Sequence, residues 1–166
     1  MTRGHAPFRI PVSDLLGDGG NRRPVTIDTE VEWPLELSVV GPHLHADLLF
    51  QGAAGGVLVR GTVDTEATHT CHRCLVEWSE PLRVEFAELL GLDEDPDSYP
   101  LDGDVADLEI PIRDTVLLAV PLTPTCKPDC RGICATCGGD LNTNSCPGHD
   151  EDGDSPFASL RELFES

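Results

Sequence analysis

The chain has 166 residues, of which 39% are apolar, and 30 Asp and Glu against 11 Lys and Arg give it a formal net charge of −19 at pH 7. A chain of this length buries one moderate core with at most a small additional module, which excludes two full domains. So large a negative charge repels phosphate backbones and favours basic partners, which argues against independent nucleic-acid binding, although the excess acid can also serve solubility alone.

The sequence indicates neither a membrane span nor a secretion signal. No segment approaches the roughly 18 apolar residues of a spanning helix, and the N-terminus has no long apolar run ahead of a small-residue cleavage site. We therefore expect a cytoplasmic protein without a membrane partner. In a reducing compartment its seven cysteines are metal ligands or thiols rather than a disulfide framework.

The first part of the chain predicts a series of strands. Residues 1–24, rich in Gly, Pro and Arg, predict an extended lead-in. Apolar and polar residues alternate at 25–33, which is the pattern of a half-buried strand, and further strands are predicted at 35–40 and 43–51. After a glycine-rich turn the longest alternation follows at 57–67 and continues the sheet.

The middle of the chain predicts a hairpin followed by an acidic loop. Apolar residues alternate again at 82–86, which places the cysteine pair of 71–74 at the turn between two antiparallel strands. Residues 91–107 have too little apolar content and too many breakers to fold alone, so they predict a mobile acidic loop. With the segment that follows, these elements predict an antiparallel sheet domain over 25–120.

The remainder of the chain predicts helices on either side of a cysteine-rich module. Apolar residues at helical spacing in 108–120 indicate a short helix, although their β-branched members leave a strand possible. Prolines then end regular structure ahead of a zinc-binding module at 121–150, and Ser155-Pro156 before an apolar stripe predicts a C-terminal helix at 151–166. The predicted fold class is α+β, mainly antiparallel β-sheet with one or two short helices and a C-terminal cysteine-rich zinc-knuckle module.

Five cysteines within residues 126–146 predict a structural zinc ion. Zinc takes four ligands at tetrahedral corners, and thiolates supply softness and charge together. A C-x2-C pair followed by two glycines, as in Cys134–Gly139, is typical of half such a site, and four thiolates leave no open position for catalysis. An iron–sulfur cluster and incidental reduced thiols are the alternatives. The expected ligands are Cys126, Cys130, Cys134 and Cys137, with Cys146 or His149 as substitutes.

A second C-x2-C pair, Cys71 and Cys74 with Arg73 between them, has no third or fourth ligand nearby in sequence. A redox dithiol normally lies where a strand leads into a helix, and that context is missing. The pair can share a metal with the C-terminal cysteines, form a separate weak site or consist of structural thiols. The sequence contains no nucleophile–base constellation or nucleotide-binding glycine loop, so we expect no enzymatic activity and no small-molecule substrate.

Several stretches together point to a known family. They are FRIPVSDLLGDGG near the N-terminus, THTCHRCL, VPLTPTCKPDCRGICATCGGDLN and the closing SPFASLREL. Over nearly the whole chain they resemble the YceD family, also described as large ribosomal RNA subunit accumulation proteins. The resemblance implies a non-enzymatic role in biogenesis of the large ribosomal subunit. Some members lack the C-terminal cysteines, which moves the expected functional centre towards Cys71–Cys74, and Cys146 here departs from a common paired ending.

The leading interpretation is therefore an assembly factor that meets basic ribosomal proteins or ribosomal RNA, with Cys71, Arg73 and Cys74 as partner-binding residues. An acidic surface suits basic proteins, whereas Arg73, Lys127 and Arg131 suit RNA. The alternatives are a thiol-redox or metal-handling protein that uses the Cys71 and Cys74 pair, and a protein-only adaptor stabilised by zinc. The sequence leaves the oligomeric state open.

Overall fold

A computed structural model describes the chain in five pieces, which are residues 7–17, 20–91, 99–144, 146 and 148–149. Within these residues the chain forms nine β-strands and one α-helix. In chain order they are β1 (Arg9–Pro11), β2 (Arg22–Glu30), β3 (Trp33–Pro34), β4 (Ser38–Val40), β5 (His43–Ala53), β6 (Gly56–Thr70), β7 (Glu77–Gly91), β8 (Tyr99–Pro100), β9 (Val105–Asp107) and α1 (Glu109–Ala119).

The strand β6 is the centre of a seven-stranded sheet. It pairs with β7 in antiparallel register over its full length, from Gly56 opposite Gly91 to Thr70 opposite Glu77. Along its other edge β6 pairs first with β5 and then with β4, and β2 and β3 extend those two strands outward. β8 adds two residues in parallel to the end of β7, whereas β1 and β9 form a separate two-stranded sheet. The long β6–β7 pair thus makes one hairpin that spans the whole sheet.

The core lies on one face of this sheet. In β6 the residues at 57, 59, 63 and 67 are buried, whereas the intervening residues are partly or fully exposed. This alternation confirms the two-residue period predicted from the sequence. α1 with its flanking residues, β9 and the N-terminal segment cover the face, because their few apolar side chains gain burial there. The covering side chains are Phe8, Val12, Leu15, Ala106, Leu108, Ile112, Val116 and Val120.

Most of the predicted elements are present with shifted ends. The strands predicted at 25–33, 43–51 and 57–67 correspond to β2, β5 and β6, and α1 confirms the predicted helix over the alternative of a strand. The strand predicted at 35–40 is instead interrupted by a turn between β3 and β4. That turn is closed by a hydrogen bond from the Leu35 N–H to the Ser38 carbonyl at 2.8 Å.

The lead-in predicted for 1–24 takes part in the fold where it is described. β1 pairs with β9, with Arg9 opposite Asp107, and the next residues bring Val12 and Leu15 into the core. Both side chains are at most 1% exposed, so burial rather than strand propensity fixes this segment. β2 also begins inside the predicted lead-in, at Arg22, opposite the end of β5.

Two short strands, β8 and β9, lie within the acidic loop predicted for 91–107. The side chains of Tyr99 and Leu101 pack against the core, which gives this acidic stretch apolar anchors. Residues 92–98 and the helix predicted at 151–166 lie outside the described residues. In the part of the chain that is described, no helix is long and apolar enough to span a bilayer.

Candidate metal centres

The β6–β7 hairpin ends in a turn at 71–76 that carries two cysteines. The N–H of Cys71 donates to the Val76 carbonyl at 2.9 Å, and the N–H of Leu75 donates to the Cys71 carbonyl at 3.0 Å. Leu75 adopts a left-handed φ of 60°, which is uncommon for a leucine. The turn therefore holds the thiols of Cys71 and Cys74 at the hairpin tip. This is the position predicted from the alternating apolar residues in the strands before and after the pair.

The segment after α1 returns to this turn and is hydrogen-bonded to it. The N–H of His72 donates to the Pro124 carbonyl at 3.0 Å, and His72 Nδ1, 3.0 Å from the same oxygen, carries the proton because a carbonyl only accepts. The N–H of Ile133 donates to the Arg73 carbonyl, and the Arg73 guanidinium donates to the Cys130 carbonyl, both at 3.0 Å. These contacts place two further thiols beside those of the turn.

Four thiols meet at this junction in an inner cluster that consists of Cys71, Cys74, Cys126 and Cys130. Their sulfurs all lie within 4.8 Å of one another, with 3.8 Å between Cys71 and Cys130 and 3.5 Å between Cys74 and Cys126. Sulfurs about 2.3 Å from a tetrahedral zinc ion are ~3.8 Å apart, whereas a disulfide holds its sulfurs at about 2.05 Å. The four free thiols therefore have the spacing of a tetrahedral metal site rather than of disulfides.

Charge within the inner cluster is unevenly distributed among the thiols. Burial opposes ionisation of Cys71, but backbone N–H groups from both halves of the cluster outweigh it and lower the pKa of this thiol to about 5. Burial and the three neighbouring thiols raise the pKa of Cys126 to about 12. Thiolates this close repel one another unless a cation lies between them, so the full set of four thiolates requires a bound metal ion.

A second group, the outer cluster, lies farther along the same segment and consists of Cys134, Cys137, Cys146 and His149. Its first two thiols are held by a tight turn, in which the Gly138 N–H donates to the Cys134 carbonyl at 2.9 Å and the Cys134 N–H donates to the Gly139 carbonyl at 2.8 Å. Gly138 has a φ of 70°, a conformation that glycine adopts without strain. The glycines that follow the C-x2-C pair thus shape the turn.

The outer cluster combines three thiols with one imidazole. Cys146 Sγ lies 3.7 Å from Cys134 Sγ, 4.0 Å from Cys137 Sγ and 3.0 Å from His149 Nε2. The backbone N–H groups of Cys137 and Thr136 lower the pKa of the Cys134 thiol to about 6, against the opposing effect of burial. This donor set is one that a tetrahedral Zn²⁺ ion accepts in structural sites.

Asn142 is hydrogen-bonded to a ligand of the inner cluster. Its side-chain amide donates to Cys130 Sγ at 3.6 Å and to Asp140 Oδ1 at 2.8 Å, and its carbonyl oxygen accepts the Arg131 N–H at 2.9 Å. A hydrogen bond to a ligand atom orients that ligand and tunes its basicity. Sequence reasoning gave Asn142 no role beyond its place in a family motif, because the distance to the sulfur depends on how the segment folds back.

The four residues predicted to share one zinc ion are divided between the two clusters. Cys126 and Cys130 lie with the hairpin pair, which is the sharing that the sequence left open for Cys71 and Cys74. Cys134 and Cys137 instead lie with the two residues that the sequence offered as substitutes. The reason is geometric: the hairpin turn already fills two corners of the inner cluster. The sequence held one indication of this grouping, which is that no third or fourth ligand lies near Cys71 and Cys74 in sequence.

The three cations proposed for RNA contact lie around the inner cluster. Arg73 is tied to the Cys130 carbonyl through its guanidinium, so it positions the returning segment. Lys127 and Arg131 belong to that segment and are exposed. The hairpin tip is therefore a place where positive side chains gather on an otherwise acidic protein.

A serine–histidine–glutamate contact lies beside the hairpin turn. Ser38 Oγ is 2.8 Å from His69 Nδ1, and His69 Nε2 is 3.3 Å from Glu80 Oε1. Ser38 is 5% and His69 1% exposed, so both side chains are buried. The contact joins β4, β6 and β7 and satisfies a buried imidazole, which is a structural role.

The chain is similar in sequence to proteins of one family. The chain matches the family model for "Large ribosomal RNA subunit accumulation protein YceD" over residues 59–164, which contain both clusters. An uncharacterized protein of Mycobacterium bovis is 34% identical over 150 residues, covering 84% of this chain and 72% of that protein. The chloroplastic large ribosomal RNA subunit accumulation protein YCED homolog 1 of Zea mays is 31% identical over 126 residues, covering 55% and 43% respectively. No solved structure matches. The chain belongs to the YceD family.

Proposed function

We propose that this protein is a non-enzymatic cytoplasmic factor in biogenesis of the large ribosomal subunit, where it supports accumulation of the large ribosomal RNA. The observation that carries the proposal is the family match over residues 59–164, because the name of that family describes accumulation of the large ribosomal RNA. Relatives in Zea mays and Arabidopsis thaliana carry the same description in their names. The enclosed Ser38 and the two four-ligand clusters are consistent with a protein that binds rather than catalyses.

Within this proposal the inner cluster holds a structural zinc ion. Four thiolates fill the tetrahedral coordination of Zn²⁺ and leave no position for a substrate or water. Cys71 and Cys130 are 0% and 3% exposed, so the ion is enclosed between the hairpin and the returning segment. Its chemistry there is to neutralise the thiolates and to link the hairpin to the returning segment. The Arg73 guanidinium and the Asn142 amide position the ligands.

The proposed partners follow from the two kinds of surface. The exposed carboxylates of β7, among them Glu77, Glu80 and Glu85, suit basic ribosomal proteins, in keeping with the net charge of −19. Lys127 and Arg131 beside the inner cluster suit a phosphate of ribosomal RNA.

Co-sedimentation with large-subunit precursors tests the proposal. The wild-type chain should travel with these precursors at low salt and dissociate as salt rises, because both surfaces act through charge. Replacing Glu77 and Glu85 by Gln should weaken association if a basic protein is the partner, and replacing Lys127 and Arg131 by Ala should weaken it if RNA is. Leu118→Ala, at a side chain 87% exposed on α1, is the matched surface control. Recovery of the wild type only in the free fraction at low salt contradicts the proposal.

A thiol-redox function is the alternative. The observation in its favour is the pKa of Cys71: burial opposes ionisation of this thiol, but backbone N–H donors outweigh it and lower the pKa to about 5. The full burial of Cys71 opposes it, because disulfide exchange needs an accessible sulfur. Metal-loaded protein separates the two functions: a redox pair cycles with thioredoxin, whereas thiolates bound to zinc stay protected. A protein-only adaptor, the remaining alternative, predicts no RNA crosslink at Arg73 or Arg131.

A further inference from the structure

We propose that the outer cluster is a second metal site, which binds its own Zn²⁺ ion independently of the inner cluster and releases it more readily. The sequence predicted a single zinc ion, and the ribosomal proposal needs only the inner one. The inference is therefore independent of the proposed ribosomal role. It rests on the placement of three thiols and one imidazole around a common point.

The donor set and its dimensions fit a zinc ion. The ligand atoms of the outer cluster all lie within 4.8 Å of one another. Cys146 Sγ is 3.7 and 4.0 Å from the two other sulfurs, close to the ~3.8 Å expected for thiolates at tetrahedral corners around zinc. Cys146 and His149 are three residues apart in sequence, the same spacing as in a C-x2-C pair, and Cys146 Sγ lies 3.0 Å from His149 Nε2.

The two ions would share no ligand. Each cluster has a complete set of four donors, so neither needs a bridging sulfur. The link between them is the short stretch from Cys130 to Cys134, where the Gly132 carbonyl accepts the Leu141 N–H at 2.9 Å and the Ile133 N–H reaches the Arg73 carbonyl. This backbone pairing separates the clusters while it fixes the start of the outer turn.

The two sites should differ in how readily they release a metal ion, because their ligands differ in exposure to solvent. Two inner ligands, Cys71 and Cys130, are buried at 0% and 3% exposure, and the other two, Cys74 and Cys126, are partly exposed, so no inner ligand is fully exposed. In the outer cluster Cys137 and His149 are exposed, and the other two thiols are partly exposed. A chelator takes a metal ion by replacing its ligands one at a time, and it can begin only where a ligand is accessible. Imidazole also adds no negative charge to the site, so the outer ion is held by three thiolates rather than four.

Counting zinc by native mass spectrometry of the full-length chain tests the second site. We expect two ions per chain in the wild type and one in the Cys146→Ser/His149→Ala double variant. His43→Ala, at an exposed histidine of β5 outside both clusters, should keep two. One ion in the wild type, or two in the double variant, overturns the proposal.

Chelator kinetics test the difference in exchange on the unmodified protein. Excess EDTA with a chromogenic zinc indicator should remove half of the bound zinc in a fast phase and half in a separate slow phase. Substitution of Co²⁺ gives a second readout, because the thiolate-to-cobalt absorption counts sulfurs: the double variant should lose three of seven thiolate contributions and keep the four of the inner cluster. A single release phase, or a spectrum that loses the contribution of all seven, contradicts the assignment.

Discussion

The sheet and the segment that follows it are held together by different forces. The sheet is built around large buried side chains such as Phe50, which is 0% exposed. After Val120, the only buried residues among those described are Pro124, Cys130 and Gly132. A segment with so little apolar surface to bury cannot repay its loss of chain entropy by hydrophobic contact, whereas a structural metal can supply that free energy. The sheet should therefore fold without metal, and the segment should not.

The largest effect should come from Cys130→Ser, which removes one ligand of the inner cluster. Structural zinc contributes roughly 10 kcal/mol or more to folding in small zinc modules, far more than the few hydrogen bonds that would remain here. We expect hydrogen exchange at the Ile133 amide, which donates to the Arg73 carbonyl, to approach that of an unstructured chain, while Val59 in β6 stays protected. Asn144→Ala, an exposed change in the same segment, is the control. Unchanged protection at Ile133 would show that the segment folds without the inner ion.

The converse experiment disrupts the sheet and spares the metal. Phe50→Ala leaves a cavity in the fully packed core, and such truncations lower the free energy of unfolding by about 3–5 kcal/mol. Chemical denaturation monitored by circular dichroism should show this loss, and the zinc content of the folded protein should not change. Leu118→Ala, with a side chain 87% exposed, should lie close to wild type. Parallel loss of zinc would mean that the two regions are not held separately.

A smaller effect should follow from Asn142→Ala. The variant removes the amide that donates to Cys130 Sγ and the oxygen that accepts the Arg131 N–H. Loss of such a ligand-orienting group typically weakens metal affinity by about 10- to 100-fold. Competition against a chelator of known affinity measures it, with Asn144→Ala as control. Equal metal affinities in Asn142→Ala and Asn144→Ala would show that the Asn142 side chain does not support the inner cluster.

The smallest effect concerns the solvent face of the sheet, far from either cluster. A hydrogen bond to Asp28, together with Asp47, raises the pKa of His45 above 6.5. The folded state therefore favours the protonated form, and this stabilisation is complete below pH 6.5 and is lost as pH rises through the raised pKa. An NMR titration should place His45 above 6.5 and return it towards that value in Asp28→Asn. A wild-type value at or below 6.5 contradicts the contact.

The same comparison explains what the sequence could predict. In the sheet, side-chain alternation is a local signal, so β2, β5 and β6 and the cysteine-bearing hairpin tip were predicted within a few residues. β1 and β9 were missed because a few apolar side chains, such as Val12, are fixed by distant burial rather than by a local pattern.

Ligand grouping is a different problem, because all seven cysteines are chemically alike and only the path of the chain tells them apart. Cys71 and Cys130 are 59 residues apart in sequence and 3.8 Å apart at their sulfurs. Nearness in sequence instead favoured the pairing of Cys130 with Cys134 and Cys137. The informative signal was the number of ligands: a cysteine pair at a hairpin with no further ligands nearby must find them elsewhere in the chain or remain unbound.

Diffraction from a crystal of the zinc-loaded protein, measured on both sides of the zinc absorption edge, locates each bound zinc ion and its ligands. We expect an anomalous peak inside the inner cluster, bonded to two thiolates of the hairpin and two of the returning segment, and a second peak inside the outer cluster. A single peak bonded to Cys126, Cys130, Cys134 and Cys137, with the Cys71 and Cys74 thiols unbound, would contradict this expectation.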